Sequence, residues 1–220
     1  MSPFKRNSSL YISYLVLVLF AFVTQLLNQK GEVLLYLHES RIPWLTESFV
    51  IITRLGELQG FILSAFMIVL VGRLKDLSIL GISTLLMLLL VHIFKHYVFP
   101  DAVRPIVFFE QMGSVIDYDP NYHLNRKHSF PSGHTTAGFT YFFAAALAAR
   151  RWPMQFAALL LAVSVALSRI YLMQHFVIDT IAGSLLGVMI VTTVAHFSDK
   201  IAGEEHKWNR RVLKFNAFRS

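Results

Sequence analysis

Three islands in this sequence carry residues able to do chemistry in places where a hydrophobic chain has no packing need for them. The first is Lys95 with Arg104-Pro105. The second is Phe130-Pro131-Ser132-Gly133-His134. The third is Ser168-Arg169, followed by His175 and Asp179. His175 and Asp179 stand at i and i+4, a spacing that predicts both on one helix face. A carboxylate there accepts from one imidazole nitrogen, fixes the tautomer and leaves the other nitrogen free to act. Pro-Ser-Gly is helix-start chemistry, and the unpaired N–H groups of a helix start attract anions. Each island alone also has a structural reading: an interfacial snorkelling pair, a capped helix with a spare histidine, a buried ion pair. Together they supply three cations, a helix N-terminus, one buttressed histidine and one separate histidine. That set suits a tetrahedral oxyanion with a nucleophile and an acid, and phosphoryl transfer asks mainly for charge neutralisation and positioning.

The elements that must position these groups are apolar. The chain has 220 residues, of which 55% are hydrophobic and 15% charged, against roughly 25% charged in soluble domains. This composition excludes a disordered chain and argues against an ordinary soluble enzyme. The absence of cysteine excludes a disulfide scaffold, a zinc–thiolate site, an iron–sulfur cluster and a cysteine nucleophile. Apolar runs cover residues 10–27, 58–72, 77–94, 135–149, 154–172 and 178–197. A membrane crossing takes about 20 apolar residues, and several runs are short. The expectation is an all-α polytopic membrane protein, a single membrane-embedded domain over residues 1–220 with six transmembrane helices. Residues 95–105, 130–134 and 168–179 are its expected active-site segments. The first run follows Lys5 and Arg6 but lacks a small-residue cleavage site after it, so it reads as a retained span. Residues 32–54 mix charges with Leu, Trp and Phe at helical spacing, which fits short amphipathic helices at the interface or a solvated loop.

Six crossings divide the 20 Lys and Arg residues between two faces. Lys5, Arg6, Arg73, Lys75, Arg150, Arg151 and the six from Lys200 onward share one; Lys30, Arg41, Arg54, Lys95, Arg104, Arg126, Lys127 and Arg169 share the other. The basic face is cytoplasmic by the positive-inside rule. Both termini are then cytoplasmic in a cytoplasmic (inner) membrane protein, and the three islands face the periplasm or exterior.

The ordered islands resemble the three-part signature of the type 2 phosphatidic acid phosphatase superfamily. Pro131-Ser132-Gly133-His134 matches its second motif, and Ser168-Arg169, His175 and Asp179 match the third with its spacing. The first departs: eight residues separate Lys95 from Arg104, two more than the family usually has, which predicts a longer turn around Pro100-Asp101. The resemblance implies that His175 attacks phosphorus to form a phosphohistidine. Asp179 would orient His175, and His134 would protonate the leaving oxygen and then activate water. Lys95, Arg104 and Arg169 would hold the phosphate oxygens, with the Ser132 hydroxyl and Gly133 N–H as neutral donors. It implies no metal and no cofactor. The substrate would be a membrane lipid phosphate or diphosphate: phosphatidic acid, phosphatidylglycerol phosphate, a polyprenyl diphosphate or a lipid A phosphate. A phosphotransferase using the same phosphohistidine and a non-enzymatic lipid carrier are the alternatives.

Other features carry less. Asp117, Asp119 and Asn121 alternate like a calcium loop but lack the glycine and closing glutamate. His92 and His96, at i and i+4 beside Lys95, fit packing or a metal pair lacking a third ligand. Gly183-x-x-x-Gly187 is a small-residue packing pattern, read as intramolecular, with dimerisation as the alternative. The basic tail from Lys200 reads as membrane-adjacent, with no nucleic-acid partner, and a monomer is the expected state.

Overall fold

The computed structural model describes residues 3–113, 125–149, 151–201 and 209–213. Asp117, Asp119, Asn121 and most of the basic tail lie outside the described residues. After a single turn, α1 (Pro3–Arg6), the helices run α2 (Ser8–Leu27), α3 (Glu32–Glu39), α4 (Pro43–Ile52), α5 (Leu58–Val71), α6 (Leu74–Ile93), α7 (Pro105–Gln111), α8 (Gly133–Ala149), α9 (Trp152–Tyr171) and α10 (Val177–Ile201).

Four of them, α2, α6 with its extension to Val98, α9 and α10, are long and apolar enough to cross a membrane. Pro43–Gly56 and Leu58–Val71, bent by 67° at their junction, make a fifth when counted as one span. The structure thus gives four or five candidate spans where the sequence reading expects six. The shortfall lies in α5 and α8, whose 14 and 17 residues rise only about 21 and 26 Å at 1.5 Å per residue. Residues 32–54 form the expected short helices α3 and α4, joined to α5 by a 3-10 turn, Thr53–Gly56.

The apolar runs look alike in sequence but have opposite environments. The side chains of Leu19, Phe20, Leu26 and Leu27 on α2 are exposed, the pattern of a helix bathed in hydrocarbon. By contrast, every residue of α8 from Thr135 to Ala149 is buried. Its small residues make this possible, because α5, α6, α9 and α10 all pack against it. A Cβ at Gly183 would sit 2.7 Å from the Ser132 carbonyl oxygen, and one at Gly187 would sit 2.7 Å from that of Thr136. The small-residue pair is therefore spent inside the chain, drawing α10 onto α8.

Polar ties fix the end of the bundle opposite the three islands. Asp199 near the end of α10 accepts from Lys75 Nζ at 2.6 Å and Arg6 Nη1 at 3.1 Å, joining the end of α1 and the start of α6. Gln155 at the start of α9 donates to Asn7 Oδ1 at 2.9 Å.

Candidate active site

At the other end, helix α6 does not stop at Ile93 but widens into a π turn, Phe94–Val98. Phe99 N–H closes it on Phe94 O at 2.7 Å, and Ala102 N–H then turns back to Phe99 O. π turns concentrate at functional sites because they swing side chains off the helical register. This pair of turns absorbs the longer Lys95–Arg104 spacing. Lys95 Nζ lies 3.5 Å from the position a Cβ would take on Gly133. The ammonium therefore stands over the start of α8.

Arg104 is buried and forks over the third island. Its Nη1 donates to the Gln174 carbonyl at 2.9 Å and to Gln174 Oε1 at 3.1 Å, and it faces His175 Nε2 at 3.1 Å. Its Nε donates to Lys127 O at 3.0 Å. A guanidinium can only donate, so Nε2 presents its lone pair and the proton of a neutral His175 is on Nδ1. That nitrogen lies 3.4 Å from Asp179 Oδ2 and 3.5 Å from Ser129 Oγ. The same Asp179 oxygen accepts from Ser129 Oγ–H at 2.5 Å and from Phe176 N–H at 3.1 Å.

The expected shared helix face is corrected here. His175 precedes α10, and only Asp179 is on the helix. The carboxylate reaches back to satisfy the orphan Phe176 N–H, as capping acids do at helix starts. The turn from Arg169 to His175, closed by Gln174 N–H and His175 N–H on Arg169 O at 2.9 and 3.2 Å, sets the imidazole. Burial, together with Arg104, Arg169, Lys95 and His134, holds the His175 pKa well below its ordinary value. The ring is neutral at physiological pH.

Arg169, also buried, donates from Nη1 to Thr53 Oγ1 at 2.7 Å. His134, second residue of α8 and ahead of its apolar stretch, has Nε2 2.9 Å from Glu57 Oε1. Ser132 caps α8: its hydroxyl pairs with Thr135 Oγ1 at 2.9 Å, its own N–H donates to Asp179 O at 3.0 Å, and the side chain is fully buried. All eight predicted residues thus gather where α6, α8, α9 and α10 meet. Ser129, Gln174, Thr53 and Glu57 join them without having been singled out. Ser129 stands two residues ahead of Pro131, a place with no motif signal. Glu57 had one, since a lone carboxylate between two apolar runs is costly without a purpose.

His128 donates from Nδ1 to Lys95 O at 2.9 Å and places its ring 4.6 Å from that of His96, which lies 4.5 Å from His92. No group of three or more His, Asp or Glu among the described residues is arranged to hold a metal ion. A cavity of about 320 Å³ lies between α2, α3, α9 and α10, with apolar walls including Val18, Val33, Ile170 and Ile181. None of the eight residues lines it, so this cavity is not the chemical site.

A family model for the PAP2 superfamily matches residues 76–202, the stretch that holds all three islands. The chain belongs to the PAP2 superfamily. A curated PAP2 relative, phosphatidylglycerophosphatase B of Bacillus subtilis (strain 168), is 31% identical over 179 residues, 73% of this chain and 79% of that protein. Two solved structures share the fold. The crystal structure of Aquifex aeolicus LpxE matches with a TM-score of 0.62 at 23% identity, covering 75% of this chain and 93% of that one. That of the transmembrane PAP2-type phosphatidylglycerolphosphate phosphatase from Bacillus subtilis matches with a TM-score of 0.56 at 26% identity, covering 90% and 98%. Apolar helices and these membrane PAP2 neighbours make this chain a membrane protein.

Proposed function

We propose that this PAP2 protein is a lipid phosphatase that hydrolyses a phosphomonoester or diphosphate of an amphiphilic lipid through a phosphohistidine. The observation that carries the reading is His175 itself. It is a buried neutral imidazole, tautomer set by Asp179 and Ser129, with its Nε2 lone pair aimed at an arginine. That is a nucleophile facing an anion clamp.

In this reading the phosphate enters between Arg104 and Nε2, and Arg104, Lys95 and Arg169 take its oxygens. Nε2 bonds to phosphorus as the bond to the lipid oxygen breaks, and His134 gives that oxygen its proton. Asp179 stabilises the positive charge that develops on the His175 ring. Water then attacks phosphorus, its proton goes to His134, and the P–N bond breaks to return His175. Ser132 and the Gly133 N–H add neutral donors at the helix start. The three cations supply the charge neutralisation, so the reading uses no metal and no cofactor. Phosphatidylglycerol phosphate, which the name of one structural neighbour contains, stands with phosphatidic acid, polyprenyl diphosphate and lipid A phosphate as substrate.

The proposed layout is six crossings. The packing of α5, α6, α9 and α10 around α8 supports counting the two short helices as crossings beside the longer ones. Lys/Arg asymmetry puts the termini in the cytoplasm and the site on the outer face. Phosphate release by purified protein over a panel of these lipids tests the activity, and silence on all of them removes it. Transfer of labelled phosphate to an acceptor lipid instead of water would make the protein a phosphotransferase. Single cysteines at Gln111 and Arg151 test the orientation: an impermeant thiol reagent outside the membrane labels the first and spares the second, and the reverse inverts the topology.

A further inference from the structure

His134 is held from outside its own helix. Glu57, whose carboxylate lies 2.9 Å from Nε2, is the N-cap residue of α5, yet its side chain makes no cap hydrogen bond. The short side chains preferred at an N-cap accept from their own helix; the longer Glu57 side chain reaches the imidazole instead. The adjoining 3-10 turn engages a second member of the site through Thr53 and Arg169. Its last residue, Gly56, approaches so closely that a Cβ there would come within 2.8 Å of His134 Cβ. The bent α4–α5 junction is therefore a bracket that grips the acid and one of the phosphate-holding arginines together.

The groups around His134 show what the bracket is for. Arg169 on α9, Lys95 on the α6 extension and the His175 turn face it with cationic or neutral groups, and among the described residues Glu57 is the carboxylate acting on it. Burial and the two cations push a second proton off the ring, and the Glu57 contact works against them. An acid set among phosphate-binding cations needs such a counter-charge to hold its proton.

We propose that Glu57 is a positioning residue for the acid–base step: it holds Nε2–H of His134 and leaves Nδ1 to carry the exchanging proton. The inference rests on the reading of His134 as acid and base. In the first step the Nδ1 proton passes to the leaving oxygen as its bond to phosphorus breaks. In the second, water loses a proton to Nδ1 as its oxygen bonds to phosphorus and the P–N bond to His175 breaks. Glu57 retains its hydrogen bond throughout and is not consumed.

Glu57→Gln keeps an oxygen acceptor and removes the charge. The Glu57 side chain is 48% exposed, so solvent screens it and the effect sits at the low end of what a neighbouring charge does. The expected result is a kcat lower by about 10- to 100-fold. KM for the lipid phosphate should change by less than about twofold, and the basic limb of the kcat–pH profile should move down by about one pH unit. Glu57→Asp should recover part of the loss. Melting temperature in detergent reports whether either variant is folded. If His134→Ala loses turnover while Glu57→Gln keeps the wild-type rate and pH profile, the role of Glu57 is overturned and that of His134 stands. A rate loss with an unmoved pH profile also overturns it, since that is what a merely structural contact gives. If His134→Ala itself keeps wild-type turnover, the underlying reading of His134 fails.

Discussion

Replacing Asp179 by Asn removes a charge and leaves a shape. All three donors around Asp179 converge on one oxygen, Oδ2: Ser129 Oγ–H at 2.5 Å, Phe176 N–H at 3.1 Å and the His175 Nδ1 side at 3.4 Å. The Asn carbonyl can take that position, so the cap on α10 and the Ser129 contact survive. The attraction between the carboxylate and the charge on a phosphorylated imidazole does not. A unit charge 3.4 Å away interacts by roughly 5 kcal/mol at an effective dielectric of about 20. Spent in the transition state, that is a loss of between three and four powers of ten in kcat, the size that the same change produces in a Ser-His-Asp triad. The assay is kcat and KM for phosphate release from a lipid phosphate in detergent micelles, with melting temperature measured alongside. A folded Asp179→Asn variant retaining more than about a tenth of wild-type kcat would refute the reasoning, because no charge would then be developing on His175.

Activity should survive excess EDTA and fall with vanadate, because Lys95, Arg104 and Arg169 supply the charge a metal would bring; loss with EDTA and recovery with Mg²⁺ in a phosphate-release assay would contradict this. The depressed His175 pKa makes stability pH-dependent: below the unfolded imidazole value of about 6.5 the unfolded chain takes a proton that the folded site resists. Melting temperature in detergent should therefore drop as pH falls from 7.5 to 5.5, and drop less in His175→Asn. Gly187→Ala should destabilise the fold by about 1–3 kcal/mol, since its Cβ would meet the Thr136 carbonyl at 2.7 Å; an unchanged melting temperature would show that α10 can back away from α8.

The chemistry was more legible in the sequence than its supports. Lys95, Arg104, His134, Arg169, His175 and Asp179 announce themselves because charge in an apolar chain is costly and needs a reason. Their uncharged neighbours do not. Ser129 and Thr53 become partners only when segments 50 and 116 residues away fold against them, and a lone hydroxyl carries no spacing signal. The His175–Asp179 pair was correct as a pair and wrong as a helix face, because i,i+4 spacing also fits a turn closed by a reaching carboxylate. Hydropathy located every apolar run but could not separate α2, bathed in lipid, from α8, buried in protein, since both environments are apolar. The span count meets the same ambiguity: α8 is short for a crossing, and its neighbouring helices bury its apolar run.

The central claim is a covalent bond between phosphorus and Nε2 of His175. Single-turnover rapid quench with ³²P-labelled lipid phosphate, followed by peptide mapping under alkaline conditions that preserve phosphoimidazole, tests it directly. The account predicts a transient, acid-labile, base-stable label on His175 that forms before phosphate is released and is absent from a folded His175→Asn protein. Full release of phosphate with no labelled intermediate at any time, or a label on another residue, would contradict it.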